Sequence, residues 1–126
     1  MITNRNGPVP PGWPDAVRPP DTTDWEQTAS AWLLDLCPAD FRGYGVLRRQ
    51  PLGLAWLAYQ HVGAQRQALA RGLGRIRTDL SRDLPPAALD DMIEAVEHEQ
   101  ARLMAASRGV ELIARALRGE RYIPRL

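Results

Sequence analysis

The chain has 126 residues, 16 basic and 15 acidic side chains and a formal net charge of +1, which fits one domain able to fold without disulfides or metal and removes the bulk electrostatic case for nucleic acid. Cys37 is the single cysteine, so an intramolecular disulfide is excluded and a reducing compartment is expected. The sequence starts without a basic segment leading into an apolar run, and no stretch nears the roughly 18 apolar residues of a membrane span, so no membrane association and a cytoplasmic location are expected.

Residues 1–22 read as a proline-rich arm, because Pro8, Pro10, Pro11, Pro14, Pro19 and Pro20 remove backbone donors and disfavour helix in the residues before them. This arm is expected to be extended or disordered. Trp13 is its large apolar group, serving either as the anchor of a docking peptide or as a strap onto the chain's own domain. A single helical domain is expected over 23–119. Thr23 and Glu26 have the spacing of a capping box, and Trp25, Ala29, Trp32, Leu33 and Leu36 then follow on one helical face, giving a first helix over about 23–36 that Pro38 ends.

Residues 37–51 form a connector with Gly43, Gly45 and Pro51, with room for a helical turn around Ala39 to Arg42. From Leu52 to Leu84, and again from Ala87 to Ile123, proline is absent. Ala55, Val62, Leu69 and Ile76 are seven apart in the first stretch, as are Leu89, Val96, Leu103, Val110 and Leu117 in the second. This stripe marks two helices packing along their length, over about 52–80 and 85–118, with Gly119 as the stop and 120–126 as a tail.

The fold class is therefore all-α: a long antiparallel, coiled-coil-like helical hairpin with a shorter N-terminal helix packed on its base. A turn near residues 82 and 83 pairs Val62 with Leu103, Leu69 with Val96, Ile76 with Leu89 and Gln65 with Gln100. It also pairs Arg66 with Glu99, Arg71 with Glu94 and Arg75 with Asp90. Gly53, Gly63, Gly72 and Gly74 each cost roughly 1 kcal/mol in a helix interior, which points either to a kink near Arg71 to Arg75 or to close approach of a partner helix. Residues 52–64 carry no formal charge and need cover on more than one side, which Trp25, Trp32 and Leu36 of the first helix would supply.

The sequence holds no catalytic, cofactor-binding or metal-binding constellation. The positions three before His61 and His98 hold Ala58 and Ala95 rather than the glutamates of a di-iron bundle. His61 is expected opposite Met104, and His98 on a charged surface between Glu97 and Glu99. The acids Asp90, Asp91, Glu94, Glu97 and Glu99 suit the N-terminal half of a helix, where the macrodipole favours them. Cys37, before Pro38, reads as a small core residue, although the start of a short helix would lower its pKa.

The segment AWLLDLCPADFRGYGVLRRQPLGLA, Ala31 to Ala55, the long helices after it and the ending LRGERYIPRL resemble short uncharacterised helical proteins of high-GC actinobacteria. The all-arginine basic set fits such a genome, and the resemblance implies no activity or site.

The leading functional expectation is a non-enzymatic protein–protein interaction module, an adaptor, scaffold or small regulatory subunit. Its surface would draw on Trp13, Met92, Met104, Arg108, Leu112, Arg115 and Arg118, with self-association as a dimer, another protein, or both as partner. The alternative is a nucleic-acid-associated or transcription-linked accessory protein using the Arg108 to Arg125 face. A third reading is a small ligand-binding protein with a pocket lined by Trp25, Trp32, Trp56 and Tyr59.

Overall fold

A computed structural model describes residues 8–125; residues 1–7 of the expected arm and Leu126 of the tail lie outside the described residues. The order of elements is α1 (Trp25–Asp35), a 3-10 turn (Ala39–Gly43), α2 (Gly45–Arg49), α3 (Pro51–Leu80) and α4 (Pro86–Leu117), with no strand among the described residues. Helices α3 and α4 pack together and α1 lies mainly on α3.

The termini of the helices follow local chemistry. Helix α1 begins two residues later than Thr23, and the expected capping box of Thr23 and Glu26 does not form, since the N-cap position is Asp24 and no side chain caps it. The Thr28 hydroxyl does the joining instead: Oγ1 donates to the Trp25 carbonyl at 2.8 Å and accepts the Arg18 N–H at 3.0 Å, tying the arm to the helix. Pro51 and Pro86 each occupy the first turn of a long helix, where a missing N–H costs nothing. Pro85 is the N-cap rather than a helical residue. At the other end of α4, Gly119 adopts φ +98° while its N–H bonds the Ala116 carbonyl and the Glu120 N–H bonds that of Arg115. This is a Schellman motif, and it satisfies carbonyls that the helix end leaves orphaned.

The connector folds more than its glycines suggest. Beyond the turn expected near Ala39 it contains α2, which begins at Gly45. Phe41 packs edge-on to His61 of α3 at 5.2 Å between ring centroids, and Leu47 packs on the main core. His61 therefore meets the connector, not Met104 as expected, and Met104 is exposed.

Two apolar clusters hold the chain. The larger joins Val17, Trp25, Ala29, Leu33 and Leu34 to Leu54, Ala55 and Ala58 of α3 and Val110, Ile113 and Ala116 of α4. The smaller is Val62, Leu103 and Ala106, with Leu36 and Leu69 packed beside it. Leu33, Leu54, Val62, Leu103, Val110 and Ile113 are essentially inaccessible, each contributing about 1.5–3 kcal/mol by burial. Towards the turn the seam thins: Leu73, Ile76, Leu80, Ile93 and Val96 are half-buried, and Leu89 alone is fully covered.

The polar register departs from expectation. Asp90 accepts from Arg77 at 2.7 Å rather than from Arg75, which bonds Asp79 one turn along its own helix at 3.1 Å. Glu99 likewise takes Arg102 of its own helix rather than Arg66, at 2.9 Å from Nε to Oε1. An acceptor within the same turn needs less side-chain ordering than one across the seam, and exposed pairs of this kind stabilise by at most about 1 kcal/mol. Gln65 is exposed, and Gln100 shares a groove with Gly63 and Arg66.

The arm is ordered over residues 8–22, correcting the extended or disordered expectation. Turns close from Trp13 N–H to the Pro10 carbonyl and from Val17 N–H to that of Pro14. Trp13 Nε1 donates to the Val17 carbonyl at 2.9 Å, and its ring lies 6.3 Å from that of Trp25. Val17 is buried in the larger cluster. The arm and α1 converge on α4 at Gly109, where a Cβ would lie 2.8 Å from Trp32 Cη2 and 2.9 Å from Pro14 Cγ. Trp32, expected on residues 52–64, thus reaches across to α4.

Helix α3 runs unbroken through Gly63, Gly72 and Gly74, where a Cβ would have no neighbour within 4 Å. Gly109→Ala should lower stability by about 1–3 kcal/mol through overpacking against Trp32 and Pro14. Gly72→Ala, which gains the same helix propensity in open space, should raise it by about 0.5–1 kcal/mol. Urea denaturation midpoints of the two variants check both signs.

Candidate interaction surface

At the base of the molecule the arm and the tail are clipped together at Asp21 and Arg121. Arg121 donates from Nε and Nη2 to the two carboxylate oxygens of Asp21, both at 2.9 Å, and from Nη1 to the carbonyls of Ala116 and Glu120. Its guanidinium also lies 6.0 Å from the centroid of the Trp25 ring. Asp21 sits at φ +75°, a left-handed conformation that aspartate tolerates better than most residues. The facing guanidinium holds the Asp21 carboxyl below its ordinary value and raises Arg121 in return.

Between the arm and the tail runs a first groove, lined by Trp13, Pro20, Arg108, Leu112, Arg115 and Tyr122 among others. Here the sequence and the structure part over Leu112. It was expected at the surface, yet it is only 5% exposed, and Gly12 lies over it and over Arg108. Trp13 is half-buried against Trp25 rather than projecting as a free anchor.

A second groove lies between the start of α3 and the end of α4. Leu52, Ala55, Trp56 and Tyr59 form one wall, and Val110, Glu111, Ala114, Arg115 and Arg118 the other. Trp56 is 60% and Tyr59 44% exposed. A third groove, of Gly63, Arg66, Gln67 and Ala70 with Gln100, Ala101 and Met104, continues along the same pair of helices. The spacing Leu52, Trp56, Tyr59, Gly63, Arg66, Ala70 keeps to one face of α3, as Gln100, Met104, Glu111, Arg115 and Arg118 keep to one face of α4. The two grooves are therefore successive parts of one continuous surface.

The four aromatics expected to share a pocket are divided. Trp25 is buried in the larger core cluster and Trp32 packs beside it, whereas Trp56 and Tyr59 line the open groove. Of the residues singled out from sequence, Arg115 and Arg118 join this groove, Met104 its continuation, and Met92 is exposed elsewhere on α4. Trp56 and Tyr59 entered the sequence reading as lining of a shared pocket and not as part of the interaction surface. The signal was their i, i+3 spacing on the side α1 does not reach.

Cys37 is buried, and loss of water pushes its thiol pKa up, with Arg42 offsetting this only in part. No group of three or more His, Cys, Asp or Glu side chains gathers among the described residues, and none of the helices is long and apolar enough to cross a membrane. Comparison with protein-family models, with curated proteins and with solved structures finds no match.

Because the Asp21 carboxyl is depressed in the folded chain, its pairing stabilises the clip at pH above the ordinary carboxylate value of about 4 and is lost as pH falls through the lower folded value. Tryptophan emission followed from pH 6 downwards should show an acid transition that Asp21→Asn abolishes, that variant lacking the clip at every pH. Cys37 should resist a thiol reagent at pH 8 until denaturant is added, at least tenfold slower than in the unfolded chain; equal rates would place the thiol at the surface.

Proposed function

We propose that the chain is a non-enzymatic protein–protein interaction module, an adaptor, scaffold or small regulatory subunit that presents α3 and α4 as a coiled-coil-like helical hairpin. The observation that carries this reading is the open groove of Trp56 and Tyr59 beside Arg115 and Arg118. Tryptophan, tyrosine and arginine are the side chains that most often dominate binding energy at protein interfaces, and a large exposed aromatic area is costly in water without a partner. The alternative, nucleic acid on the Arg108 to Arg125 face, has less support. Arg121 is engaged by Asp21 and two carbonyls, Arg108 lies beneath Gly12, and Glu111 lines the groove one helical turn before Arg115, adding negative charge to that face.

The test is affinity capture from a cell extract with the full chain, with and without nuclease. A protein should be retained under both conditions, and its retention should fall at least tenfold with Trp56→Ala/Tyr59→Ala while far-UV circular dichroism is unchanged. Retention of nucleic acid, or of protein only when nucleic acid is intact, would overturn the reading in favour of the arginine face.

A further inference from the structure

We infer that the occupant of the Trp56 face is a second copy of this chain, paired antiparallel about a two-fold axis that passes near Gly63 and Met104. The inference rests on reading that face as an interaction surface and names its partner.

The first argument is shape. The apolar bulk of the α3 face lies towards the base, in Leu52, Trp56 and Tyr59, while the half towards the turn carries the small Gly63 and Ala70 beside the flexible Arg66 and Gln67, with Gly74 one helical turn further on the same face. Residues 63 and 104 line the same groove, so they stand level on the two helices. A two-fold axis at that level, perpendicular to the helices, lays α3 along α3 and α4 along α4 of the second copy. Trp56 then lies over Ala70 of the second copy and Leu52 over its Gly74, so that these two bulky side chains each meet a small one, and Tyr59 comes to Gln67. Nothing within the chain comes within 4 Å of a Cβ at Gly63 or Gly74, and two helices that approach at 8–10 Å favour small residues at the closest points.

The second argument is charge, and it is independent of the first. The outer face of α4 is acidic near its start, with Asp90, Glu94 and Glu97, and basic near its end, with Arg115 and Arg118. The same antiparallel pairing sets Arg118 of one copy over Asp90 of the other and Arg115 over the turn of Glu94, against one like-charge meeting of Glu111 with Glu97, whereas a parallel pairing of the two α4 helices would set like charges together throughout. The antiparallel direction also opposes the two helix dipoles.

The third is size. From Leu52 to Gly74, the stretch of α3 that the axis pairs with itself, the face runs roughly 33 Å, and two helices side by side are roughly 20 Å across. The resulting area, about 660 Å², lies within the roughly 600–1,000 Å² that each partner contributes to an interface of standard size. Helix α1 lies on the other side of the pair and the arm borders the face only along α4, over Arg108 and Leu112, so the α3 half of the face stays free, and the assembly is a four-helix bundle with α1 on its flanks.

Light scattering of the full chain at micromolar concentration should give twice the 14.1 kDa of the chain, with added salt loosening the dimer by screening its charge pairs. Met104→Cys should form an intermolecular disulfide under mild oxidation, since the axis brings the two positions together, and Ser81→Cys at the turn should not; Cys37 is buried and does not compete. Trp56→Ala should return the mass to that of one chain with unchanged helicity. A mass of 14.1 kDa that does not rise with concentration overturns the dimer, and so does a dimer in which Ser81→Cys cross-links and Met104→Cys does not. A monomer that still retains another protein through Trp56 and Tyr59 overturns this inference and leaves the interaction reading standing.

Discussion

Gly109 sets how closely three separate parts of the chain meet. At this point on α4 the ring of Trp32 from α1 and the ring of Pro14 from the arm both come so near that a single methyl group would overlap them. Were α4 held away by a side chain there, α1 would lift from Val110 and Ile113, and the arm would lose the surface that orders Trp13 and Val17. The Arg121 clip sits a few turns further along and depends on the same approach, because it joins a tail leaving α4 to an arm already laid against α4. Close packing at one glycine is thus transmitted into the position of both chain ends.

The molecule is uneven along its length as a result. The base has three layers of contact: the arm, α1 and the α3–α4 pair share one cluster of buried residues. Beyond Leu69 and Val96 the long helices have only each other, their apolar residues apart from Leu89 are half-covered, and of their exposed ion pairs one, Arg75 with Asp79, stays within its own helix and one, Arg77 with Asp90, crosses. Such pairs keep the surface solvated but do little to fix the two helices against one another. Opening free energy should therefore fall from base to turn, since it follows the number of buried apolar contacts rather than the number of helical hydrogen bonds.

The long helices were legible in the sequence because proline marks where they begin and is absent throughout their length, and a seven-residue apolar repeat needs no tertiary information to recognise. Their boundaries were read to within one or two residues. Gly109 was not legible. Four glycines of α3 drew attention for their helix cost, yet the consequential one lies in α4 between Arg108 and Val110, and only the packed partner distinguishes it. The salt bridges were misread for a related reason: a cross-helix register allows many opposite charges to face one another, and the choice among them depends on side-chain reach and on acceptors nearer by. Leu112 shows the same limit from the other side. Its place on the outer surface of α4 follows from the repeat, but that the arm returns to cover it depends on Gly12, which adopts φ +93° directly above it.

Two features of α3 stand together without a compensating contact inside the chain. Trp56 keeps 60% of its surface in water, and about two to five turns further along the same helix Gly63, Gly72 and Gly74 give up helix propensity with no neighbour close enough to require it. Each is tolerable alone, at about 1 kcal/mol for each glycine and with single exposed apolar residues being common. Natural helices of this length rarely keep several such costs on one element, because replacement by alanine or a polar residue is a single step away and is stabilising. Helix α4, which carries the close approach at Gly109, has no other glycine over its 32 residues. Within the chain, then, close approach explains the glycine of α4 and none of these three of α3, of which Gly63 and Gly74 share a side of the helix with Trp56 and Gly72 lies opposite.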